Sequence, residues 1–343
     1  MTGLYITIIA LFVGIISWFL VGRIRFVLLK LQLLDYPNKR SSHTKPTVSG
    51  AGIGVLAILL PIWIVITFLF PPQSQAEEMS RWVIPGLTLL LATISFLDDL
   101  KGLPQLTRLL IHAGAIITAV QLLPGPIFTS FLYPALDICL ITIAWIWFIN
   151  LFNFMDGIDG IAGVETIAIA LGIYAIGSVF IPYSSIYGQN LVIAAAMVGF
   201  LIWNWSPAKI FLGDVGSIPL GFLVGWHLLN LAASGFWVAA LILPLYYITD
   251  SSLTLIRRLL SGKSIWEAHR EHFYQSAVKN GRAHSTVAKA IALTNVLLMV
   301  LAFFAAYPEL PAFISWLILL SACLIVALLI VWMLYGKDKT AQT

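Results

Sequence analysis

The sequence predicts an all-α integral membrane protein of about eleven transmembrane helices, and three observations carry that prediction. Of the 343 residues, 60% are hydrophobic and only 10% are charged, against about a quarter charged in soluble domains. Apolar runs of spanning length, roughly 17–25 residues, recur along the whole chain. They lack the period-two alternation of a membrane barrel, so helices are the remaining way to satisfy the backbone in lipid. Third, the basic residues sort by loop.

The runs lie near 4–22, 51–70, 82–97, 107–123, 133–151, 161–181, 190–205, 217–233, 236–256, 286–306 and 311–335. The first has no basic region before it and no small-residue cleavage site after it, and is read as a retained span. Neither a soluble domain nor an internal repeat interrupts the series, so 1–343 reads as one polytopic domain. Cys139 and Cys323 each sit inside an apolar run and indicate neither a disulfide framework nor a metal cluster. With eleven spans, every Lys and Arg except Arg81 falls on one side. Basic loops stay in the cytoplasm, which places the N-terminus outside and the C-terminus inside.

The acids follow the same side, at the ends of spans. Asp98 and Asp99 close the third run; adjacent carboxylates repel, so one is expected to hold its proton or to find a cationic partner. Between the fifth and sixth runs lies Asn150-Leu151-Phe152-Asn153-Phe154-Met155-Asp156-Gly157-Ile158-Asp159-Gly160. Asp156 and Asp159 are spaced to share a helix face. Asn153 stands one turn earlier, and the glycines admit close approach of a ligand. Hard oxygen donors with open positions suit Mg²⁺, which keeps waters and binds through few protein ligands plus phosphate. A helix cap is the plainer reading of the same acids.

Phe211-Leu212-Gly213-Asp214-Val215-Gly216-Ser217 puts an acid between glycines at the start of a run, where a helix N-terminus favours anions. Phe211 offers a ring face to a base, or packs. His269-Arg270-Glu271-His272 sets two imidazoles three residues apart, a spacing that suits one helix face, beside a guanidinium, which fits anionic phosphate better than a zinc pair. Pro37 to Pro46, with Lys45, adds cations before the Gly50, Gly52, Gly54 entry to the second run. His112, Glu165 and His227 are ionisable groups within or near spans, and single groups of this kind can be satisfied locally.

Taken in order, Asp98-Asp99, Asn153-x-x-Asp156-Gly-x-Asp159-Gly, Phe211-x-Gly213-Asp214-x-Gly216-Ser217 and the basic His loop resemble the polyprenyl-phosphate N-acetylhexosamine-1-phosphate transferase superfamily over the whole chain. His269-Arg270-Glu271-His272 and Asn38-Lys39-Arg40-Ser41-Ser42-His43 look closer to its O-antigen-initiating branch than to its peptidoglycan branch, which usually carries three consecutive histidines. The resemblance implies an enzyme that transfers N-acetylhexosamine-1-phosphate from a UDP-sugar to undecaprenyl phosphate with release of UMP. It also implies a bacterial inner membrane setting with the active site facing the cytoplasm. Asp98, Asp99, Asp156 and Asp159 would be the catalytic carboxylates. Asn153 and Asp214 would hold Mg²⁺, with Mn²⁺ as the alternative ion. Lys45, Asn204, Phe211, His269, Arg270 and His272 would contact the substrate. The partners implied are the two substrates and membrane lipids, not nucleic acid, and a homodimer is left open. An ion-coupled transporter of a sugar or nucleotide is the rival reading. It needs carboxylates near the membrane midplane, whereas these cluster at span ends on one face.

Overall fold

The computed structural model describes residues 2–37, 42, 45–128, 133–182, 184–264 and 269–335. Most of the Asn38–His43 segment, Trp266–Ala268 in the histidine loop and the basic tail beyond 335 lie outside the described residues.

The chain is a multi-pass helical membrane protein. Its helices are α1 (Thr2–Lys30), α2 (Gly52–Phe68), α3 (Gln75–Lys101), α4 (Gln105–Val120), α5 (Pro134–Met155), α6 (Ile161–Phe180), α7 (Ser185–Asn204) and α8 (Asp214–Leu231), followed by α9 (Trp237–Ile242), α10 (Leu245–Leu260), α11 (Phe273–Lys279), α12 (His284–Ala305) and α13 (Ala312–Leu334). Each of the eleven apolar runs is helical, but eight stretches among the described residues are long and apolar enough to cross a membrane. α2 and α4 are shorter apolar helices. The ninth run is broken: the chain turns at Gly235 (φ 96°) after α8, and Pro244 separates α9 from α10. A proline interrupts the hydrogen-bond ladder, which a pattern of apolar residues does not reveal.

The helix ends are set by local chemistry. Ser74 accepts from the Glu77 N–H to start α3, and Gly102 in the left-handed region (φ 64°) donates to the Asp98 carbonyl to stop it. Pro134 takes the first position of α5, where no donor is missed.

α8 is the core of the bundle. Its most apolar 18-residue stretch, read through to Ile242, is 89% buried, against 28% for α1 and for α13. α2, α3, α5 and α6 pack around it. Small residues let the backbones approach closely: a Cβ on Gly225 would meet the Trp145 indole nitrogen at 2.3 Å, and one on Gly221 would meet Phe152 at 3.1 Å. Trp145 stacks on Phe222 at 4.8 Å and donates to its carbonyl. Outward faces of α1 and α13 carry exposed Leu, Ile and Phe, as lipid contact requires, and both cysteines are free and exposed there or on α5.

A three-stranded patch joins two distant loops. β1 (Leu34–Asp35) pairs antiparallel with β2 (Thr47–Ser49), which pairs parallel with β3 (Ile210–Phe211) through Val48–Ile210 and Ser49–Phe211. The Gly50 and Ala51 N–H groups both donate to the Phe211 carbonyl. The start of α2 thereby lies against the start of α8: a Cβ on Gly52 would sit 2.2 Å from the Gly216 Cα.

That approach makes a test of the fold. Gly52→Ala drives a methyl into backbone that cannot swing aside, and is expected to cost at least about 2 kcal/mol in thermal unfolding in detergent. Gly86→Ala, with nothing within 4 Å of the added carbon, should change stability by less than about 0.5 kcal/mol.

Candidate active site

The ends of α3, α5 and α7 and the starts of α6, α8 and α12 converge at one end of the bundle, and hydrogen bonds between them build the site. At its centre, Asn153 in the last turn of α5 donates from Nδ2 to the Asp214 carboxylate (2.9 Å) and to Ser217 Oγ (2.8 Å). Asp214 is the first residue of α8, as its place between glycines suggested. Gly213, at φ 73°, supplies the left-handed turn that aims the helix start here.

Three further acids surround this bond. Asp99, at the exposed end of α3, lies close enough to Asp214 and Asp98 for their charges to interact. Asp98 itself is neutralised. Arg108 Nη1 sits 2.5 Å from its Oδ2, and the Leu103 N–H donates to Oδ1 at 2.7 Å. Arg108 is therefore the cationic partner expected for the pair. Asp156 follows the end of α5. Burial, and then the negative charge of Asp214, push its carboxyl up to about 7.

Asp156 and Asp159 do not share a helix face. α5 ends at Met155 and α6 begins at Ile161, with Gly160 in the left-handed region between them (φ 82°). The two acids diverge along this loop. Asp159 accepts from the Ala208 N–H (3.2 Å) and meets His284 Nδ1 at 3.3 Å. Burial pushes Asp159 up, but the hydrogen bond and charge of His284, with the Ala208 N–H and Ser206, hold it below the usual carboxylate range. Asn204 is buried, and its amide is used at both ends: Oδ1 accepts from the Gly160 N–H and Nδ2 donates to the Ile210 carbonyl, each at 2.9 Å. It clips the Asp159 loop to β3.

The histidine segment is likewise not helical, since α11 begins at Phe273. His269 and His272 instead stack at 4.9 Å. Burial, followed by the charges of His272 and Arg258, lowers His269 to about 4, so at neutral pH it offers a hydrogen-bonding ring and no charge. His272 is buried against Asp250, with Nδ1 3.1 Å from its carboxylate. Glu271 binds Arg258 and Lys263, each at 2.9 Å. The Lys263 hydrogen bond leads the interactions that hold Glu271 below its usual range. Tyr274 reaches across to the acid loop, its hydroxyl donating to the Phe154 carbonyl at 3.0 Å.

The residues singled out from sequence thus fall into groups. Asp98, Asn153, Asp156, Phe211, Asp214, His269 and Arg270 are half-buried, and Asp99 and Lys45 are exposed. Asp159, Asn204 and His272 are buried and bonded within the protein. Four further groups, Arg108, Asp250, Tyr274 and His284, help to build the site. Asp250 carried a signal, being an acid inside an apolar run. Nothing local distinguished Arg108 or His284 from other loop cations.

The donor set fits a hard divalent cation. Asn153 and Asp214 are joined, Asp99 and Asp156 are close enough to feel the Asp214 charge, and Asp156 is pushed up. Among the described residues no group of three or more His, Cys, Asp or Glu is placed to hold a metal ion by itself. Such a site suits an ion that takes few protein ligands and completes its shell with water and phosphate.

The chain is also similar to known proteins. Residues 82–232 match the profile described as glycosyl transferase family 4. The chain is 26% identical to decaprenyl-phosphate N-acetylglucosaminephosphotransferase of Mycolicibacterium smegmatis, over 88% of this chain and 81% of that protein. It is 27% identical to the probable undecaprenyl-phosphate N-acetylglucosaminyl 1-phosphate transferase of Bacillus subtilis, over 76% and 74%. It is also 26% identical to phospho-N-acetylmuramoyl-pentapeptide-transferase of Streptococcus pneumoniae, over 70% and 76%.

The Asp159 brace has a pH signature. Its lowered value means that the stability it supplies is present above the ordinary carboxylate range and is lost as pH falls through its own lower value. Asp159→Asn is expected to destabilise the protein by about 1–2 kcal/mol at neutral pH. The gap should close as pH drops below about 4. Unfolding curves of both proteins across that range decide it, and a gap that stays constant into acid would remove the brace.

Proposed function

We propose that this chain, which belongs to the superfamily of polyprenyl-phosphate N-acetylhexosamine-1-phosphate transferases, transfers N-acetylhexosamine-1-phosphate from a UDP-sugar to undecaprenyl phosphate. The products are undecaprenyl-diphospho-N-acetylhexosamine and UMP. The observation that carries this reading is the Asn153–Asp214 bond, with Asp99 and Asp156 within electrostatic reach of it at the helix ends. A transporter site would sit within the spans and open to both sides.

In the reaction, an oxygen of the lipid phosphate attacks the sugar-linked phosphorus of the donor, and the bond to UMP breaks. Asn153 and Asp214 would hold Mg²⁺ or Mn²⁺, which offsets negative charge on the diphosphate and the leaving UMP. Asp98 fixes Arg108 at the edge of the cluster, where the guanidinium can meet the incoming lipid phosphate. Asp99 stands next to that position and is suited to orient the phosphate or take its proton. Asp156, pushed up to about 7, is poised to exchange a proton near neutral pH. Phe211, half-buried in β3 beside Asp214, offers a ring face to uracil. His269 and Arg270 face the diphosphate or sugar, and Lys45, leading into β2, closes from the other side. Asp159, Asn204 and His272 hold these loops in place.

The relatives' names favour N-acetylglucosamine as the sugar. The histidine segment without three consecutive histidines supports the opening step of O-antigen or a related envelope polysaccharide. The basic loops support an active site that faces the cytoplasm, with eleven spans, the N-terminus outside and the C-terminus inside.

Purified protein with undecaprenyl phosphate, Mg²⁺ and a panel of UDP-sugars is expected to yield the diphospholipid, identified by its mass, and UMP. Asp99→Asn and Asp214→Asn should each lower UMP release by about 10²-fold or more while eluting as folded protein. Near-normal turnover in both variants would defeat the assignment.

A further inference from the structure

Asp250 lies in α10 with no solvent exposure, remote in sequence from every acid assigned a role above. Five donors converge on its carboxylate. The Phe273 and Tyr274 N–H groups, at the start of α11, donate to Oδ1 and Oδ2 at 3.0 and 3.1 Å. His272 Nδ1 lies at 3.1 Å, Tyr246 Oη at 3.1 Å and Thr254 Oγ1 at 3.4 Å. A buried carboxylate is costly without such partners. Tyr246 and Thr254 belong to α10 itself; the other three partners form the segment that follows His269 and Arg270. The order continues outward: Tyr274 donates its hydroxyl to the Phe154 carbonyl, two residues before Asp156. A Cβ on Gly157 would lie 2.1 Å from that hydroxyl.

The geometry points to Asp250 as a positioning residue for the transfer reaction: by binding His272 and the first N–H groups of α11 it sets the His269–Arg270 segment in register with the Asp156 loop, through Tyr274. His272 is then part of the latch, and His269 and Arg270 are the members of the segment that meet the donor diphosphate. This rests on the function proposed above. The alternative role, a buried structural acid alone, makes no link between Asp250 and the histidine segment in turnover.

The test has two independent arms. In the first, amide hydrogen exchange compares wild type with Asp250→Asn. Exchange in peptides covering 269–279 should rise about tenfold or more, with α5 and α8 little changed. Unchanged exchange there overturns the latch, whatever the activity. In the second arm, kcat and KM for the UDP-sugar are measured for Asp250→Asn, His269→Ala and the double variant. Asp250→Asn should lower kcat about tenfold or more, and it should add little once His269 is already Ala, because both act through one segment. Losses that multiply would overturn the proposal. Should Asp250→Asn not fold, Tyr274→Phe removes only the hydroxyl link and should reproduce the kcat loss without adding to His269→Ala; full activity in that variant overturns it. If wild type forms no lipid product from any UDP-sugar, the proposed function fails, and the exchange arm still decides the latch.

Discussion

The bond from Asn153 to Asp214 ties the end of α5 to the beginning of the most buried helix in the molecule, and the rest of the site is arranged around it. α8 cannot shift without disturbing its packing against α2, α3, α5 and α6. Its first residue is therefore a fixed point. A carboxylate at a helix N-terminus is favoured by the peptide dipoles, which offsets part of the cost of bringing Asp99 and Asp156 within reach of it. Bringing three acids near one another is electrostatically costly, and burial, followed by the charge of Asp214, pushes Asp156 up. A cation bound among them would relieve part of that cost.

Around that point the protein divides labour by burial. Asn204 and Asp159 spend their hydrogen-bonding capacity on backbone and His284, joining the α5–α6 loop, the α7–α8 loop and α12. Groups already paired inside the fold cannot also grip a ligand without breaking those bonds. The half-buried residues between them keep part of their surface exposed. Rigid loops bearing reachable acids suit chemistry in which positioning and charge stabilisation carry most of the rate.

Much of this was legible from residue order. Each apolar run is helical, although α11 lies in none of them and the ninth is broken; the basic loops set the sidedness that the proposed function adopts, and Asp214 at a helix start followed from its glycines. The misreadings share one cause. The spacing of Asp156 and Asp159, and of His269 and His272, suits a helix, but Gly160 and the late start of α11 take both pairs out of one. Asn204 and His272 have the chemistry of ligands, and only tertiary contacts reveal that the Asn204 amide and the His272 Nδ1 are already engaged. Asp250, like Glu165, lies inside a predicted span, so sequence alone does not separate a lone buried acid from one that organises a distant loop.

The small sheet supplies the remaining constraint. By pairing Ser49 with Phe211 and bringing Gly52 onto Gly216, it makes the loop after α1 part of the same platform as the aromatic ring and the acid at the start of α8. Lys45 lies only two residues before β2, so its backbone can wander little even though its side chain is exposed. The order of β2 thus depends on the buried helix it is tied to, because the strand it pairs with leads directly into α8 and Gly52 packs on Gly216.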